Sequence, residues 1–187
     1  MTQVPEKEAG ALSAERAKAD PSVAVEGTDL EEQIVVFQMG KELYALKIEY
    51  VNEIIRMQEI TEIPRVPEFV EGVINLRGKV IPIIDLRKRF GLPASEETAS
   101  TRIIIVAIRE LMVGMIVDKV HEVLTIPGTS IEPPSPFFTS VDIEFLRGTA
   151  RVEKVGKLEN RLVILLNLEK ILTLREQAAI LELRAQE

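Results

Sequence analysis

The sequence predicts a mainly β protein built from two small barrels in tandem, each of about five short strands, with minor helices. Three observations support this. Short segments rich in β-branched residues alternate with turn residues. A set of segments in the first half recurs, in the same order, in the second half. No apolar run is longer than a strand. Because a module of about 60 residues buries only a marginal core, we expect the barrels to share an apolar interface.

The internal repeat consists of three matched blocks. Residues 45–55 match residues 114–124, so Glu53 corresponds to Glu122 at an offset of 69 (122 − 53). The Leu-Arg-Gly that contains Arg77 matches the one that contains Arg147, at an offset of 70 (147 − 77). The third block, residues 80–86, matches residues 162–168 at an offset of 82 (167 − 85). The increase of 12 predicts a longer hairpin in the second copy, and the preserved order favours duplication over chance.

Residues 1–29 are predicted to be a disordered tail. They are rich in Glu, Lys, Ala and Ser, and their few apolar residues have no sustained period. They also lack the basic and apolar regions of a secretory signal. Residues 30–187 are predicted to form a single domain.

The first barrel is predicted to span residues 33–92 and to begin with a hairpin. Residues 34–39 and 43–46 are apolar and meet at Gly40, which can adopt the positive φ of a tight turn. Residues 48–54 then carry apolar side chains three residues apart, the spacing of one helical face, which predicts a short helix.

A second hairpin, of residues 70–75 and 79–85, completes the strands of this copy. Pro82 lies inside the returning strand and donates no hydrogen bond, so we expect an edge strand or a bulge there. Residues 86–90 form a predicted helical turn that ends at Gly91, a suitable residue to follow a helix.

The second barrel is predicted to span residues 101–168, after a polar linker at 93–101. Residues 102–108 and 111–117 are predicted to pair as a hairpin. Residues 120–124 fit a short helix or a strand, and both interpretations stay open.

The remaining segments extend the scheme to the C-terminus. Residues 131–140 contain three prolines and predict an irregular loop, and residues 143–155 and 161–167 predict the last hairpin. Residues 168–186 are predicted to be helical, with a capping box that starts at Thr173. We expect this helix to cap the barrels, because no heptad pattern lasts for three repeats.

Composition argues against several functions. The net charge of −7 and the absence of Trp disfavour nucleic-acid binding. With no Cys there is no thiolate ligand or nucleophile. His121 is the one histidine, and its counterpart in the repeat is Asn52, which favours a structural or solvated role. We find no Gly-x-Ser-x-Gly elbow, no phosphate-binding loop and no metal-ligand spacing. We therefore expect a cytoplasmic protein that is not an enzyme and needs no cofactor or metal.

Two ionic positions recur in the alignment of the copies. Glu53 and Glu122 follow the apolar face of the predicted short helix, and Arg77 and Arg147 lie in predicted hairpin turns. Each arginine has five donors and can brace turn carbonyls or a glutamate. The apolar segment that leads to Arg77 equally favours contact with a partner. The sequence leaves both roles open.

Three stretches of the first copy resemble the CheW family of bacterial chemotaxis adaptors. They read Val-Asn-Glu-Ile-Ile-Arg at 51–56, Ile-Pro-Arg-Val-Pro at 63–67 and Gly-Val-Ile-Asn-Leu-Arg-Gly-Lys-Val-Ile-Pro-Ile-Ile-Asp-Leu-Arg at 72–87. The third stretch is the most specific, and the resemblance spans residues 33–172.

The resemblance implies two intertwined five-stranded barrels of SH3-like shape. It implies a non-enzymatic adaptor, recruited to membrane receptor arrays, that couples the cytoplasmic tips of methyl-accepting chemoreceptors to the regulatory domain of the histidine kinase CheA. By motif match, the implied receptor-binding residues are Val51, Glu53, Gly72 and Arg77. A kinase-binding edge is hypothesised at Val113, Met115 and Val117 in the second barrel.

Other functions stay open at this point. Adaptors of this family also serve other arrays, such as those of pilus motility, and kinase regulatory domains are built in the same way. From different classes, a double barrel that binds a small ligand and a hydrolase that uses His121 remain alternatives.

Overall fold

Two β-sheets with short helices at their margins make up the described part of the chain. The structure is a computed structural model, and it describes residues 30–137, 139 and 141–185. The strands are β1 (Glu31–Met39), β2 (Glu42–Lys47), β3 (Val51–Arg56), β4 (Val70–Leu76), β5 (Lys79–Asp85), β6 (Arg102–Ile108), β7 (Leu111–Val117), β8 (Lys119–Pro127), β9 (Ile131–Glu132), β10 (Leu146–Val155) and β11 (Leu158–Leu166). The helices are α1 (Leu86–Phe90), α2 (Leu168–Ile171) and α3 (Leu174–Ala185), and 3-10 turns cover Ile48–Tyr50, Gly128–Ser130 and Ile143–Phe145. The mainly β prediction is confirmed, whereas the tail predicted at residues 1–29 lies outside the described residues.

The strands divide into sheet 1 and sheet 2. Sheet 1 has the order β3-β6-β7-β5-β4, and sheet 2 has the order β8-β1-β2-β11-β10-β9. Neighbouring strands are antiparallel except for β5 with β7 and β2 with β11.

The two copies of the repeat exchange their first hairpins between the sheets. Sheet 1 combines β3, β4 and β5 of the first copy with the β6–β7 hairpin of the second, and sheet 2 does the reverse. The register of the strand pairs supports the equivalence of the two sheets. Ile83 pairs with Gly114 in sheet 1, and Leu165 pairs with Ala45 in sheet 2. These residues differ by 82 (165 − 83) and 69 (114 − 45), the offsets of the repeat.

The exchange corrects the predicted extents of the barrels. The sequence assigns residues 33–92 to one barrel and 101–168 to the other, yet each range supplies strands to both sheets. Hydrophobic periodicity identifies a strand but does not identify its partner, since both copies have the same pattern. The chain crosses between the sheets after β2 and again after β7.

The register also corrects one block of the repeat. Gly72 pairs with Ile83 and Gly148 pairs with Leu165, each beside a bulge, so the two glycines are equivalent at an offset of 76 (148 − 72). Measured from the offset of 69, the increase is therefore 13 residues (82 − 69), of which seven lie before β10 and six lie within the last hairpin. The longer hairpin is confirmed, because β10 and β11 have 10 and 9 residues against 7 and 7 in β4 and β5.

Three apolar cores follow from the alternation of side chains along the strands. In β2, Leu43 and Ala45 face a core within sheet 2, whereas Tyr44 and Leu46 face a central core between the sheets. Sheet 1 has its own core of isoleucines. Strands that are buried on both faces explain the nearly continuous apolar runs of the sequence. The expected apolar interface between the two units is this central core.

The helix predicted at residues 48–54 is wrong. Only Ile48–Tyr50 form a 3-10 turn, and Val51–Arg56 form β3. A bulge between Val51 and Glu53 interrupts the alternation of the strand, so apolar residues are spaced as on a helix. Residues 120–124 belong to β8, which resolves the ambiguity in favour of a strand.

Of the two alternatives for Pro82, the edge strand is wrong, because β5 is flanked by β4 and β7, whereas a bulge does lie beside it, between Val70 and Gly72 of β4. Pro82 pairs with Val73, whose backbone N–H and C=O bond to Thr61 on the opposite side, each at 2.9 Å. The pairing of β5 with β7 begins only at Ile83. No ladder bond therefore requires an amide hydrogen from Pro82.

Residues 168–186 are predicted to be helical, and the structure interrupts them between α2 and α3. The capping box is confirmed: Glu176 N donates to Thr173 Oγ1 at 3.2 Å, and Thr173 N donates to Glu176 Oε2 at 2.7 Å. Ile180 anchors α3 on the central core. Within the described ranges, none of the helices is long and apolar enough to cross a lipid bilayer.

An ion pair between Arg87 and Asp118 connects the sheets. Arg87 follows β5 of sheet 1, and Asp118 lies where the chain crosses from β7 to β8. The guanidinium donates to both carboxylate oxygens, Nε to Oδ1 at 3.0 Å, and Nη1 donates to the carbonyl of Pro93 at 2.8 Å. Gly40 N, in the β1–β2 turn of sheet 2, donates to Oδ2 at 2.8 Å. Burial alone would raise the pKa of Asp118, but these hydrogen bonds hold it below its ordinary value.

Candidate partner-binding site

Glu53 and Arg77 form an ion pair across the open side of sheet 1. Glu53 lies in β3, at one edge, and Arg77 lies in the turn between β4 and β5, near the other edge. Arg77 adopts a left-handed conformation with φ of 52°, and its Nη2 donates to Oε2 of Glu53. The Glu53 side chain is 30% exposed and the Arg77 side chain is 71% exposed. Both charges are therefore accessible to another molecule.

Gly72 and Val51 shape the strands that carry this pair. Gly72 has φ of 145°, and a Cβ there would lie 2.0 Å from the carbonyl oxygen of Thr61. The absence of a side chain lets the segment after β3 lie directly against β4. Val51 begins β3 and packs, half-buried, on the central core. The four predicted receptor-binding residues thus comprise an ion pair and two positions that shape its strands.

An apolar side chain adjoins the ion pair. Ile54 follows Glu53 in β3 and is 40% exposed. It sits between half-buried neighbours on an edge strand. Apolar surface next to charges on an edge strand is typical of a protein-binding surface.

The hypothesis of a kinase-binding edge at Val113, Met115 and Val117 is wrong. These side chains are at most 1% exposed, and all three belong to the central core. They lie in β7, an interior strand of sheet 1 rather than an edge. An apolar run does not reveal whether it faces a partner or the core, and here both faces of the strand are covered.

Val123 and Phe137 are exposed apolar residues that the sequence analysis missed. Val123 lies in β8, at the edge of sheet 2, and is 47% exposed, and Phe137 is 91% exposed in the proline-rich loop before β10. The repeat contains the signal for Val123, because its counterpart at an offset of 69 is the exposed Ile54. Nothing in the pattern around Phe137 separates it from a buried aromatic residue.

Glu122, the counterpart of Glu53, makes a different contact in sheet 2. Its Oε1 accepts a hydrogen bond from Gly156 N, in the β10–β11 turn, at 2.7 Å. Arg147 is not the counterpart of Arg77: it lies in β10 rather than in a turn, and it pairs with Glu32. Both glutamates thus reach the turn of the opposite hairpin, but only sheet 1 does so through an exposed arginine.

Groups suited to catalysis do not converge in the described ranges. His121 is half-buried, and its Nε2 lies 2.9 Å from Oε1 of Gln38. Burial, helped by the charge of Lys119, lowers the pKa of His121. Within the part of the chain that the structure describes, no three His, Asp or Glu side chains are grouped to hold a metal ion.

Comparison with known proteins places these features in one family. The family model described as CheW-like domain matches residues 33–176. The chain is similar to the chemotaxis protein CheW of Bacillus subtilis (strain 168), at 39% identity over 75% of this chain and 86% of that protein. It is also similar to the chemotaxis protein CheW of Klebsiella aerogenes, at 33% identity over 82% and 89%. Among solved structures, the scaffolding protein TtCheW from Thermoanaerobacter tengcongensis aligns with a TM-score of 0.69 and 42% identity, covering 81% of this chain and 94% of that one.

Proposed function

The chain belongs to the CheW family, and we propose that it is a non-enzymatic adaptor that couples membrane chemoreceptors to the histidine kinase CheA. Its relatives are named as chemotaxis proteins, and its structural neighbour is a scaffolding protein. A scaffold in chemotaxis needs separate docking surfaces rather than a reaction centre. In this proposal the protein works in the cytoplasm and is recruited to membrane receptor arrays.

The observation that carries the proposal is the exposed ion pair of Glu53 and Arg77 beside the exposed Ile54. These residues combine accessible charge with apolar surface on one edge of sheet 1. Val51 and Gly72, the other two residues of the matched motif, support the same strands. We assign receptor binding to this surface.

The chemistry of this surface suits a helical receptor tip. An apolar patch with a few charges at its rim can take one face of an amphipathic helix. Each contact needs only modest affinity, because an array multiplies weak contacts through avidity.

Kinase binding then requires a second surface, and the exposed apolar residues of sheet 2 supply it. Val123 occupies in β8 the position that Ile54 occupies in β3, and Phe137 is exposed in the loop before β10. We assign the contact with the kinase regulatory domain to this side. Two surfaces on two sheets are the minimum for a bridge.

Charge variants of the ion pair test the receptor surface. We expect Glu53→Gln and Arg77→Gln each to weaken binding of a purified receptor fragment by about tenfold, since a contact with a charged group contributes about 1.5–3 kcal/mol. The double variant Glu53→Arg with Arg77→Glu restores the pair with the charges exchanged. If the pair only braces the strands, this variant regains affinity; if the charges contact the receptor, it does not.

Glu122→Gln is the matched control, because Glu122 is the repeat counterpart on the other sheet. Thermal melts of every variant separate lost contacts from lost structure. Full receptor binding by both single variants, with melts unchanged, would refute the assignment. For the second surface, Val123→Ser and Phe137→Ser should weaken binding of the kinase regulatory domain and leave receptor binding unchanged.

A further inference from the structure

A groove opens in sheet 2 between β8, one of its outer strands, and β10, the neighbour of the other outer strand, β9. One wall is β8, whose one strand partner among the described residues is β1, and the other is β10. β9 covers β10 only at Thr149 and Ala150. Beyond Ala150, that edge of β10 has no strand partner within the described ranges. The groove has a volume of about 410 Å³.

The lining of the groove combines an apolar floor with a charged rim. Leu124, Ile126 and Val152 form the floor and pack on the core of sheet 2. Arg151 and Lys154 lie exposed at the rim, with Glu153 between them in sequence. A free strand edge over an apolar floor is suited to an added strand.

The groove is a consequence of the longer second hairpin. The six residues added to the last hairpin carry β10 past the end of β9, whereas β4 of sheet 1 ends at Leu76. In sheet 1 the segment after β3 packs Met57 and Ile60 onto the core. The uncovered stretch is therefore longer in sheet 2, where it covers residues 151–155 of β10, than in sheet 1, where it covers residues 74–76 of β4.

The chain itself enters the fold beside this groove. Leu30 immediately precedes β1, and its carbonyl accepts a hydrogen bond from Gly128 N at 2.8 Å. Gly128 follows Pro127, which lines the groove. Leu30 is 70% exposed. The preceding residues are thus tethered at one end of the groove.

The sequence just before this point has the pattern of a strand. Residues 22–26 read Ser-Val-Ala-Val-Glu, with Val23 and Val25 on the same side of an extended chain. Gly27 follows and permits a turn. The five residues from Val25 to Leu30 can span up to about 17 Å. Glu26 and Asp29 are negatively charged, and the groove is lined by two cations, Arg151 and Lys154, against one carboxylate, Glu153.

We propose that residues 22–26 of this chain bind in the groove as an added strand on the free edge of β10, with Val23 and Val25 on the apolar floor. Glu26 then lies near the basic rim formed by Arg151 and Lys154. The short tether gives a high effective concentration, so a short segment of modest intrinsic affinity is sufficient. The segment covers an edge that would otherwise be open to other strands.

Hydrogen exchange on the full chain tests this proposal. In the double variant Val23→Asp with Val25→Asp, we expect amides of residues 151–154 to exchange roughly tenfold faster than in the parent chain, since the tethered strand no longer competes with water. Val4→Asp is the matched control: it makes the same change in the same N-terminal region, outside the segment, and should leave exchange unchanged. All of the replaced residues precede β1, and thermal melts of each variant check that the fold is intact.

A charge exchange adds a second measurement. Lys154→Glu should accelerate exchange in the groove, and adding Glu26→Lys should restore protection. Unchanged exchange at residues 151–154 in the double valine variant would overturn the proposal. Protection that depends on protein concentration would also overturn it, because the occupant would then be a second copy of the chain.

Discussion

Sheet 1 and sheet 2 are built from the same repeat, yet their open sides are closed to different degrees. In sheet 1, Thr61 exchanges two backbone hydrogen bonds with Val73, and Glu53 reaches Arg77 across the gap. In sheet 2, β9 pairs with β10 at two residues, and β10 continues for five residues beyond them, against three residues of β4 beyond Val73. The difference shows that a six-residue insertion in one hairpin lengthens the uncovered part of the sheet edge.

The largest expected effect concerns the two equivalent glycines. Gly72→Ala should lower the free energy of unfolding by roughly 3–5 kcal/mol, because it adds a backbone clash to a strained φ. Gly148→Ala should cost about 1–3 kcal/mol, since its Cβ would lie 2.5 Å from the carbonyl of Glu132 but its φ is not in the left-handed region. Urea unfolding of both variants measures the difference. Equal losses would show that the two edges are equally tight.

The second comparison concerns the interiors of the sheets. Gly114 in sheet 1 corresponds to Ala45 in sheet 2, and a Cβ on Gly114 would lie 2.5 Å from Cδ1 of Ile83. Gly114→Ala should therefore destabilise by about 1–3 kcal/mol through overpacking. Ala45→Gly should destabilise by roughly 1–2 kcal/mol, through a lost methyl group and a more flexible backbone. Calorimetric melts distinguish the causes: a stabilising Gly114→Ala would mean that the isoleucines of sheet 1 repack freely.

The third prediction concerns the ion pair that joins the sheets. Asp118→Asn should cost about 1 kcal/mol at neutral pH, a value reduced because the carboxylate is partly exposed. The folded-state pKa of Asp118 is lowered, so its contribution is complete above the unfolded value of about 4 and is lost as the pH falls through the lower folded value. Burial raises the pKa of Asp85, so Asp85 changes the stability with pH in the opposite direction. This effect is common to the parent protein and the Asp118→Asn variant.

Urea unfolding from pH 7 to pH 3 therefore checks the difference between parent and Asp118→Asn. The curves should converge at the acidic end. Arg87→Met should show the same loss at neutral pH, since it removes the partner. A constant difference across the pH range would show that the ionised carboxylate does not link the sheets.

The sequence predicted the strands well and their partners poorly. The hairpin turns at Gly40 and Gly78 follow from local chemistry, and so does the helix end at Gly91. The exchange of hairpins between the copies cannot be predicted from local chemistry, because β2 and β7 have the same hydrophobic pattern. The helix predicted at residues 48–54 failed because the bulge beside Glu53 gives the apolar residues of a strand the spacing of a helical face.

The candidate site was predictable where a motif fixed it. Glu53 and Arg77 came from the matched stretch, and the structure brings them into contact. Val113, Met115 and Val117 had only an apolar pattern, which is shared by core and interface residues. The Leu-Arg-Gly sequence around Arg147 matches the one around Arg77 by coincidence, which shows the limit of short matches. The strand register identifies Gly148 as the counterpart of Gly72 in the repeat.

The smallest expected effect comes from making the two copies alike at His121. Its counterpart is Asn52, and the Asn amide can also donate to Gln38, so His121→Asn should change the free energy of unfolding by less than about 0.5 kcal/mol. Because the pKa of His121 is lowered in the fold, the parent protein loses a little stability as the pH falls below about 6.5, and the variant does not. Melts at pH 5 and pH 8, with receptor and kinase binding at neutral pH, measure both effects. Lost signalling with an intact fold would instead favour the catalytic alternative, because an exchange that preserves the hydrogen bond removes only the chemistry of the imidazole.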